Sequence, residues 1–325
     1  MTACRMRAGR RAVLALPALL AAPAARAQGF PDRPLRLVVA YAPGGAADLM
    51  ARGVAQHMQP RLGVPVAVEN RSGGTGAIGA QAVAQAPADG HTLLFASGTE
   101  ISVQPLVQKA LPYDVDRDFT PIMLCGITPI VLAVNAALPA ADMPALLALA
   151  RRRPLSFSSS GSGTINHLTG ELFAARAGIR LLHVPYRGTG QAVTDAASGQ
   201  VDMIFAGLPA ILPLVRSGQL RILAVSTATR SAAAPEVPTL AELGLPGFDM
   251  SNWFGLMAPS GTPAPALEKL HAAARAATAE PEVRALFARL GGEALGGTAA
   301  EYRGFIAAER ARLAEAVVAA RLEPG

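Results

Sequence analysis

The sequence LRLVVAYAPGGAADLMARGVAQHMQPRL, residues 35–62, contains an apolar run, a glycine-rich turn and an amphipathic segment in that order. The run over residues 35–42 has the length of a buried strand, and the turn follows it directly. Residues 46–62 form a predicted helix, whose apolar side chains recur every four positions: Met50, Val54, Met58 and Leu62. A strand followed at once by a helix is the repeating unit of a parallel α/β sheet.

The same strand-then-helix order continues outward from this stretch along most of the chain. Further strands are predicted at residues 64–68, 92–96, 130–135, 155–158, 181–184, 203–206 and 222–227. Further helices are predicted at residues 77–86, 143–152, 165–177, 190–198 and 211–217. Three final helices, at 265–277, 282–290 and 300–320, have no predicted strand between them, so we expect them to pack back on an existing sheet. The predicted fold class is therefore α/β, with mostly parallel sheets flanked by helices.

The length of the chain favours two domains. Once an N-terminal segment of 27 residues is set aside, 298 of the 325 residues remain, and single hydrophobic cores divide near this size. Because the final helices return to the first sheet, the first domain is discontinuous. We predict residues 28–127 plus 251–325 as domain 1 and residues 128–250 as domain 2, with hinge segments near residues 125–130 and 247–252.

The N-terminal segment has the pattern of an export signal. An arginine-rich stretch precedes an apolar run over residues 12–25, and Ala25-Arg26-Ala27 is a small-x-small cleavage site, so the mature chain would begin at Gln28. The run is shorter than the roughly 18 to 20 residues that span a bilayer, which makes a retained anchor the weaker interpretation. Arg10-Arg11 loosely fits a twin-arginine signal, but paired arginines are common before apolar runs, so we expect Sec export to the periplasm.

Charge and composition exclude several classes of protein. From Gln28 onward, 24 Lys and Arg stand against 23 Asp and Glu, a scattered net charge of +1 that argues against nucleic acid as a partner. Cys125 alone cannot form an internal disulfide or a zinc cage, and the five histidines lack metal-ligand spacing. No serine stands in G-x-S-x-G and neither lysine follows a P-loop pattern. We expect no metal and no cofactor.

The turn after the first strand is a candidate anion site. It contains Tyr41, Pro43, Gly44, Gly45 and Asp48, where the free amides at a helix start face outward and the helix dipole favours a negative group. The pattern of this turn predicts a binding site for a carboxylate group. The alternative is an ordinary strand-to-helix turn, in which Asp48 only complements the dipole of the helix.

A second turn repeats this arrangement after the strand at residues 155–158. Its candidate ligand contacts are polar or glycine residues near a helix start: Ser160, Ser162, Gly163, Thr164 and His167. One alternative is a Ser/Thr helix cap with nothing bound, and another is a His167–Glu171 pair on the helix face. A Ser160/His167 hydrolytic pair is the best enzyme hypothesis, but it lacks an identifiable third group.

The two turns lie about 115 residues apart, one in each predicted domain, and both follow the carboxyl end of a strand. Ligands bind at that edge in open α/β sheets. We therefore predict that two helix starts hold one small acid from opposite sides of a cleft.

Residues 74–79, GTGAIG, match G-x-G-x-x-G, so a dinucleotide site has to be weighed. Residues 69–73 lengthen the loop before these glycines, and the motif lies on the second strand-helix unit rather than the first. Glu100 is the only acid near the distance expected for a ribose contact. A bound nucleotide is therefore disfavoured.

A series of motifs in a fixed order resembles the solute receptors of tripartite tricarboxylate transporters, the Bug family. The motifs are PGG (43–45) with Asp48, ENR (69–71), DGHTLL (89–94), LPYD (111–114), SGSG (160–163) with His167-Leu168, HVPYRG (183–188), GQVD (199–202), VPTL (237–240), WFG (253–255) and PSGTP (259–263). The resemblance covers nearly the whole mature sequence.

The resemblance implies a two-domain periplasmic binding protein of the Venus flytrap type, which delivers a small organic acid or amino acid to membrane transporter subunits. In the family, the loop after the first strand and the Ser/Thr-rich helix start of the second domain contact the ligand, which assigns those roles to the two turns above. Asp48 would then fix its loop or a water, since like charges repel. We expect a monomer. A sensor for a membrane kinase is the alternative receptor function.

One stretch departs from the family pattern. Members often carry Asn before Pro after the third strand, whereas this chain has TEISVQP at residues 99–105. Thr99 and Glu100 are therefore candidate ligand contacts. If Glu100 points into the cleft, its buried carboxylate would disfavour a second anion and favour a ligand with an amino or other cationic group, whereas an exposed Glu100 at the rim would not. The loop of residues 206–208, around Gly207, has no polar side chain, so ligand selectivity there would depend on the shape of the site and on backbone groups.

Overall fold

The computed structural model describes residues 29–319. The predicted export signal and its cleavage before Gln28 lie outside the described residues. Within them, no helix combines the length and the apolar character that crossing a bilayer would require.

The chain folds as α/β, as predicted. The strands are β1 (Leu35–Val39), β2 (Val66–Asn70), β3 (Thr92–Ser97), β4 (Phe119–Asn135), β5 (Leu155–Ser159), β6 (Leu181–Pro185), β7 (Met203–Gly207), β8 (Leu220–Val225), β9 (Ser251–Pro259) and β10 (Glu293–Ala294). The helices are α1 (Ala46–Leu62), α2 (Ala77–Ala84), α3 (Gln104–Val107), α4 (Val115–Asp118), α5 (Met143–Arg152), α6 (Ile165–Ala177), α7 (Thr189–Ser198), α8 (Leu208–Arg216), α9 (Ala264–Ala279), α10 (Pro281–Arg289) and α11 (Ala299–Ala319). A 3₁₀ turn, Gly74–Gly76, precedes α2, and a π-helical turn, Thr99–Val103, follows β3.

Strand β4 runs through two halves of one curled sheet, whose order is β2-β1-β3-β9-β4-β7-β5-β6. Over residues 119–129 it pairs with β9, and from Ile130 it pairs with β7 and β8. We call the β1-β2-β3-β9 side the first half and the β5-β6-β7-β8 side the second half. The partner strands of β4 therefore change completely at one point, between Pro129 and Ile130.

The parallel prediction holds for β2-β1-β3 and for β6-β5-β7, but the ladders of β4 and β9 are antiparallel. Strand β9 was not predicted, because Gly255 and Pro259 interrupt its apolar run and both residues are uncommon within strands. The expectation of no strand among the final helices is also wrong: β10 lies between α10 and α11 and pairs with β4.

Helix α1 positions the first candidate turn. Its predicted apolar face, Met50, Val54, Met58 and Leu62, is buried in the core of the first half together with β1 and α9. Gly63 ends the helix in a left-handed conformation, φ 75°, which glycine adopts without strain. Because one side of α1 is fixed in the core, its N-terminus is held at the carboxyl end of β1.

The last helix, α11, packs on both halves rather than on the first alone. Tyr302 and Ile306 belong to a core of the first half, whereas Leu313 and Ala316 belong to a core of the second. A helix of 21 residues is about 30 Å long, enough to reach across both. The return of the chain to the first half is thus carried by α9 and α10, and α11 bridges the two halves.

Candidate ligand-binding site

A cavity of about 850 Å³ lies between the two halves of the sheet. Eight of the predicted site residues line it: Tyr41, Gly44, Gly45, Thr99, Ser160, Ser162, Thr164 and Gly207. Five others lie outside the lining: Pro43, Asp48, Glu100, Gly163 and His167. The structure therefore brings both glycine turns to one cavity and places the two predicted carboxylates, Asp48 and Glu100, behind its wall.

The first turn presents backbone amides to the cavity. Gly45 is the N-cap of α1 and makes no side-chain cap, and the amides of Ala46, Ala47 and Asp48 have no acceptor within residues 29–319. The Gly44 amide is used internally, because it donates to Asp48 Oδ2 at 2.9 Å. Free amides at a helix start carry partial positive charge and suit an anion.

Asp48 shapes this turn from behind. Its buried carboxylate accepts hydrogen bonds from Gly44, Arg52 (3.0 Å) and Asn70 (2.9 Å), and Asn70 also donates to the carbonyl of Tyr41. Burial raises the pKa of Asp48, but the hydrogen bonds from Arg52, Gly44 and Asn70 outweigh burial, so the pKa lies below its ordinary 3.8. Asp48 thus stabilises the loop as an anion.

Asp48→Ala should lower the free energy of unfolding by roughly 2 to 3 kcal/mol at neutral pH, because the Gly44 and Asn70 donors lose a buried acceptor. A lowered folded-state pKa means that this stability is present above the unfolded-state value and is lost as pH falls through the folded-state value. Urea unfolding across an acid series should therefore show wild type and variant converging at low pH. Asp116→Ala, which breaks an exposed pair with Arg310, is the control and should cost under about 1 kcal/mol. An equal effect of both substitutions would contradict the role given to Asp48.

The second turn also leaves helix-start amides free. Thr164 is the N-cap of α6; its hydroxyl accepts from the His167 amide and donates to the Gly161 carbonyl at 2.8 Å. The Ile165 and Asn166 amides have no acceptor in the described part of the chain. Thus one anion could contact amides from both halves.

His167 supports the second turn from below. Its Nδ1 accepts from the Gly163 amide at 3.2 Å, and its ring stacks on His183 with centroids 3.8 Å apart. Burial and the neighbouring His167 lower the pKa of His183 to about 3, so that the ring is neutral near pH 7. These two histidines position the turn and do not line the cavity.

The structure does not join the predicted hydrolytic pair. Ser160 Oγ contacts Asn166 and Thr164, and over residues 29–319 no hydrogen bond links it to His167. A Ser–His bond does exist between Ser159 Oγ and His183 Nε2, 2.7 Å apart, but Ser159 is buried and outside the cavity lining. Nor do any three His, Cys, Asp or Glu side chains among the described residues gather as metal ligands.

Sequence analysis missed Arg187. It is the one charged side chain in the cavity lining, it is exposed, and none of the ion pairs within residues 29–319 includes it. The available signal was its place in a loop at the carboxyl end of a predicted strand, where ligands bind. The other polar lining residues that were not predicted are Thr75, Ser97, Thr128, Asn166, Tyr186, Thr189 and Asn252.

Glu100 is fully buried and lies behind Tyr41, Ser97 and Thr99, which form the cavity wall next to it. Its carboxyl oxygens accept from Ser97 and from the Tyr41 hydroxyl. Burial raises the pKa of Glu100, while these hydrogen bonds oppose the rise. Glu100 is therefore not an exposed residue at the rim, and it does not point into the cavity either, so neither alternative describes it.

Comparison with known proteins shows which family the chain resembles. The model of the tripartite tricarboxylate transporter family receptor matches residues 50–322. Protein BugT of Bordetella pertussis (strain Tohama I) is 39% identical over 301 residues, which cover 92% of each chain. A protein encoded in the tcbD-tcbE intergenic region of Pseudomonas sp. (strain P51) is 41% identical over 321 residues, 97% of this chain and 95% of that one.

The chain is also similar to solved structures. MatC from Rhodopseudomonas palustris, with bound malate, is 32% identical with a TM-score of 0.77 and matches 89% of this chain and all of its own. Another R. palustris protein, solved with adipate, is 34% identical with a TM-score of 0.82 over 91% of this chain and all of its own.

Proposed function

The chain belongs to the tripartite tricarboxylate transporter receptor family, and from this premise we propose that it is a periplasmic receptor that captures a small carboxylate-bearing metabolite without altering it. The captured acid is delivered to membrane transporter subunits. The relatives solved with malate and adipate support a carboxylate ligand.

One observation carries the proposal: two helix starts from opposite halves present unpaired amides to a single cavity. Amides of α1 and α6 together bind one carboxylate group, which shares its oxygens between the two turns. Arg187 adds a positive charge at the same cavity and suits a second carboxylate. A neutral or cationic ligand without an acid group would leave these donors unsatisfied.

Closure of two domains around the ligand follows from the same geometry. We take residues 28–127 plus 251–325 as one domain and 128–250 as the other. The change of partners along β4 lies two residues from this boundary and supports it, while α11 packs on both sides. A ligand that contacts both turns binds the closed form better and shifts the population towards it. The segments near residues 125–130 and 247–252 serve as the hinge.

A thermal-shift screen of the mature protein, purified under ligand-stripping conditions, tests the proposal. Mono- and dicarboxylates, amino acids and aromatic acids are the probes. An acid present at about 100 times its Kd should stabilise the protein by roughly 2.7 kcal/mol. If no acid stabilises the protein and ester substrates are turned over instead, the receptor proposal is wrong and a hydrolase takes its place.

A further inference from the structure

Behind the cavity wall, Glu100 joins two hydroxyl groups that the mechanism of carboxylate capture does not use. Its Oε2 accepts from the Tyr41 hydroxyl at 2.7 Å and from Ser97 Oγ at 2.6 Å, and its Oε1 accepts from the Ser97 amide at 2.6 Å. Tyr41 and Ser97 both line the cavity. The three side chains come from three separate points: the end of β1, the end of β3 and the π-helical turn after it.

The fold fixes this carboxyl group in place. The Tyr113 hydroxyl donates to the Glu100 carbonyl at 2.7 Å, and Gly76 packs against the side chain. A Cβ at Gly76 would lie 3.0 Å from both Glu100 Cβ and Oε2. The second glycine of the G-x-G-x-x-G motif therefore makes room for Glu100, which gives that glycine a role without a nucleotide.

The hydroxyl hydrogens of Tyr41 and Ser97 decide whether this wall donates or accepts hydrogen bonds. A hydroxyl has one hydrogen, and an ionised Glu100 accepts those of both Tyr41 and Ser97. The two oxygens lie 2.9 Å apart, and the contact between them has no hydrogen left of its own. Ser97 Oγ accepts only a long bond from the Thr99 amide, 3.4 Å. Towards a ligand, both hydroxyls can therefore act only as hydrogen-bond acceptors.

No cation offsets Glu100. Over residues 29–319 it forms no ion pair with Lys, Arg or His, and its hydrogen-bond donors are neutral. When ionised, Glu100 therefore acts through the wall on whatever occupies this end of the cavity. A hydrogen-bond donor there is favoured, and a second carboxylate is repelled.

We propose that Tyr41 and Ser97, held by Glu100, form an accepting subsite that selects acids bearing a hydroxyl or amino group over unsubstituted acids of the same length. This inference rests on the proposed function. One ligand O–H or N–H can contact both oxygens, whereas a methylene group there would leave buried lone pairs without a partner, an unfavourable state. The ligand class is thus a hydroxy- or amino-substituted carboxylate.

The test compares matched acids by calorimetric titration. Succinate, malate and aspartate form one set, and glutarate, 2-hydroxyglutarate and glutamate form a second. Because burial raises the pKa of Glu100, titrations are repeated over a series from about pH 6 to about pH 9, so that ionisation of the carboxyl is favoured at the upper end. In at least one set, wild type should bind the substituted acid about tenfold or more tightly than the unsubstituted one.

Glu100→Gln should bring that ratio below about threefold, because the glutamine amide donates to one hydroxyl and turns its hydrogen towards the cavity. Tyr41→Phe removes one acceptor, leaves the Ser97–Glu100 bonds in place and should also reduce the ratio, which decides the matter if Glu100→Gln does not fold. Glu309→Gln is the matched control: this buried carboxyl on α11 accepts from Trp253 and does not line the cavity, so the ratio should stay at the wild-type value.

Wild type that binds acids without preferring the substituted ones would overturn the inference, as would a preference that survives in both Glu100→Gln and Tyr41→Phe. Failure of wild type to bind any acid would instead overturn the proposed function. The two failures are therefore distinguishable in the same experiment.

Discussion

Gly45→Val should weaken carboxylate binding by more than about 100-fold, because the added side chain occupies the place of the ligand. Gly45 lines the cavity directly before the free amides of α1. Its φ of −76° accepts any residue, and a Cβ there meets only the Ala42 carbonyl at 3.8 Å, so the backbone need not move. The isopropyl group then covers the amides and excludes an anion. Titration with the acid found in the screen measures the loss.

Two further variants serve as a control for Gly45→Val and as a test of the second turn. Gly304→Val adds the same side chain to an exposed position on α11, with nothing within 4 Å, and should leave affinity unchanged. Thr164→Val should remove binding at the second turn, because it replaces the hydroxyl that holds the turn through Gly161. The lost cap costs about 1 kcal/mol of stability, too little to unfold the protein. Full affinity in both Gly45→Val and Thr164→Val would show that the ligand binds elsewhere.

Gly79→Ala should destabilise the protein by about 3 kcal/mol, through a close contact of helix and strand. Gly79 lies on α2 where this helix crosses the end of β1. A Cβ would stand 2.7 Å from Ala40 Cα and 2.9 Å from the Arg71 carbonyl oxygen. Both are backbone atoms, so the clash is relieved only by moving the helix away from the sheet. The shift of the urea unfolding midpoint measures the effect.

Gly190→Ala provides the comparison for this substitution. Gly190 lies in α7 with nothing within 4 Å, so alanine there should leave stability unchanged or raise it by up to about 1 kcal/mol, as in an ordinary helix. If Gly79→Ala were as stable as Gly190→Ala, the third glycine of the G-x-G-x-x-G motif would need an explanation other than packing. The expected loss instead accounts for that glycine by the approach of α2 to β1.

Local sequence patterns predicted much of this fold. The spacing of apolar residues in α1, the alternation of strands and helices, and the glycine turns after β1 and β5 all record burial within a few neighbouring residues, which periodicity can reveal. The first part of β4 and all of β9 were not predicted, because Pro121, Gly126 and Pro129 interrupt the one and Gly255 and Pro259 the other. Their antiparallel pairing depends on partners that lie far away along the chain, about which local pattern says nothing.

Some features of the candidate site were likewise predicted from the sequence, and others are seen only in the structure. The types of residue at the two turns, with their free amides, follow from the sequence, and so does the family to which the chain belongs. That both turns border one cleft was predicted from their places at strand ends. That Arg187 joins them and that Glu100 lies behind Tyr41 were not, since the Tyr41–Glu100 bond spans 59 residues. Short-range chemistry fixes what a turn can bind. The order of strands in the sheet fixes which turns and side chains meet, because it brings together groups whose separation along the chain carries no local signal.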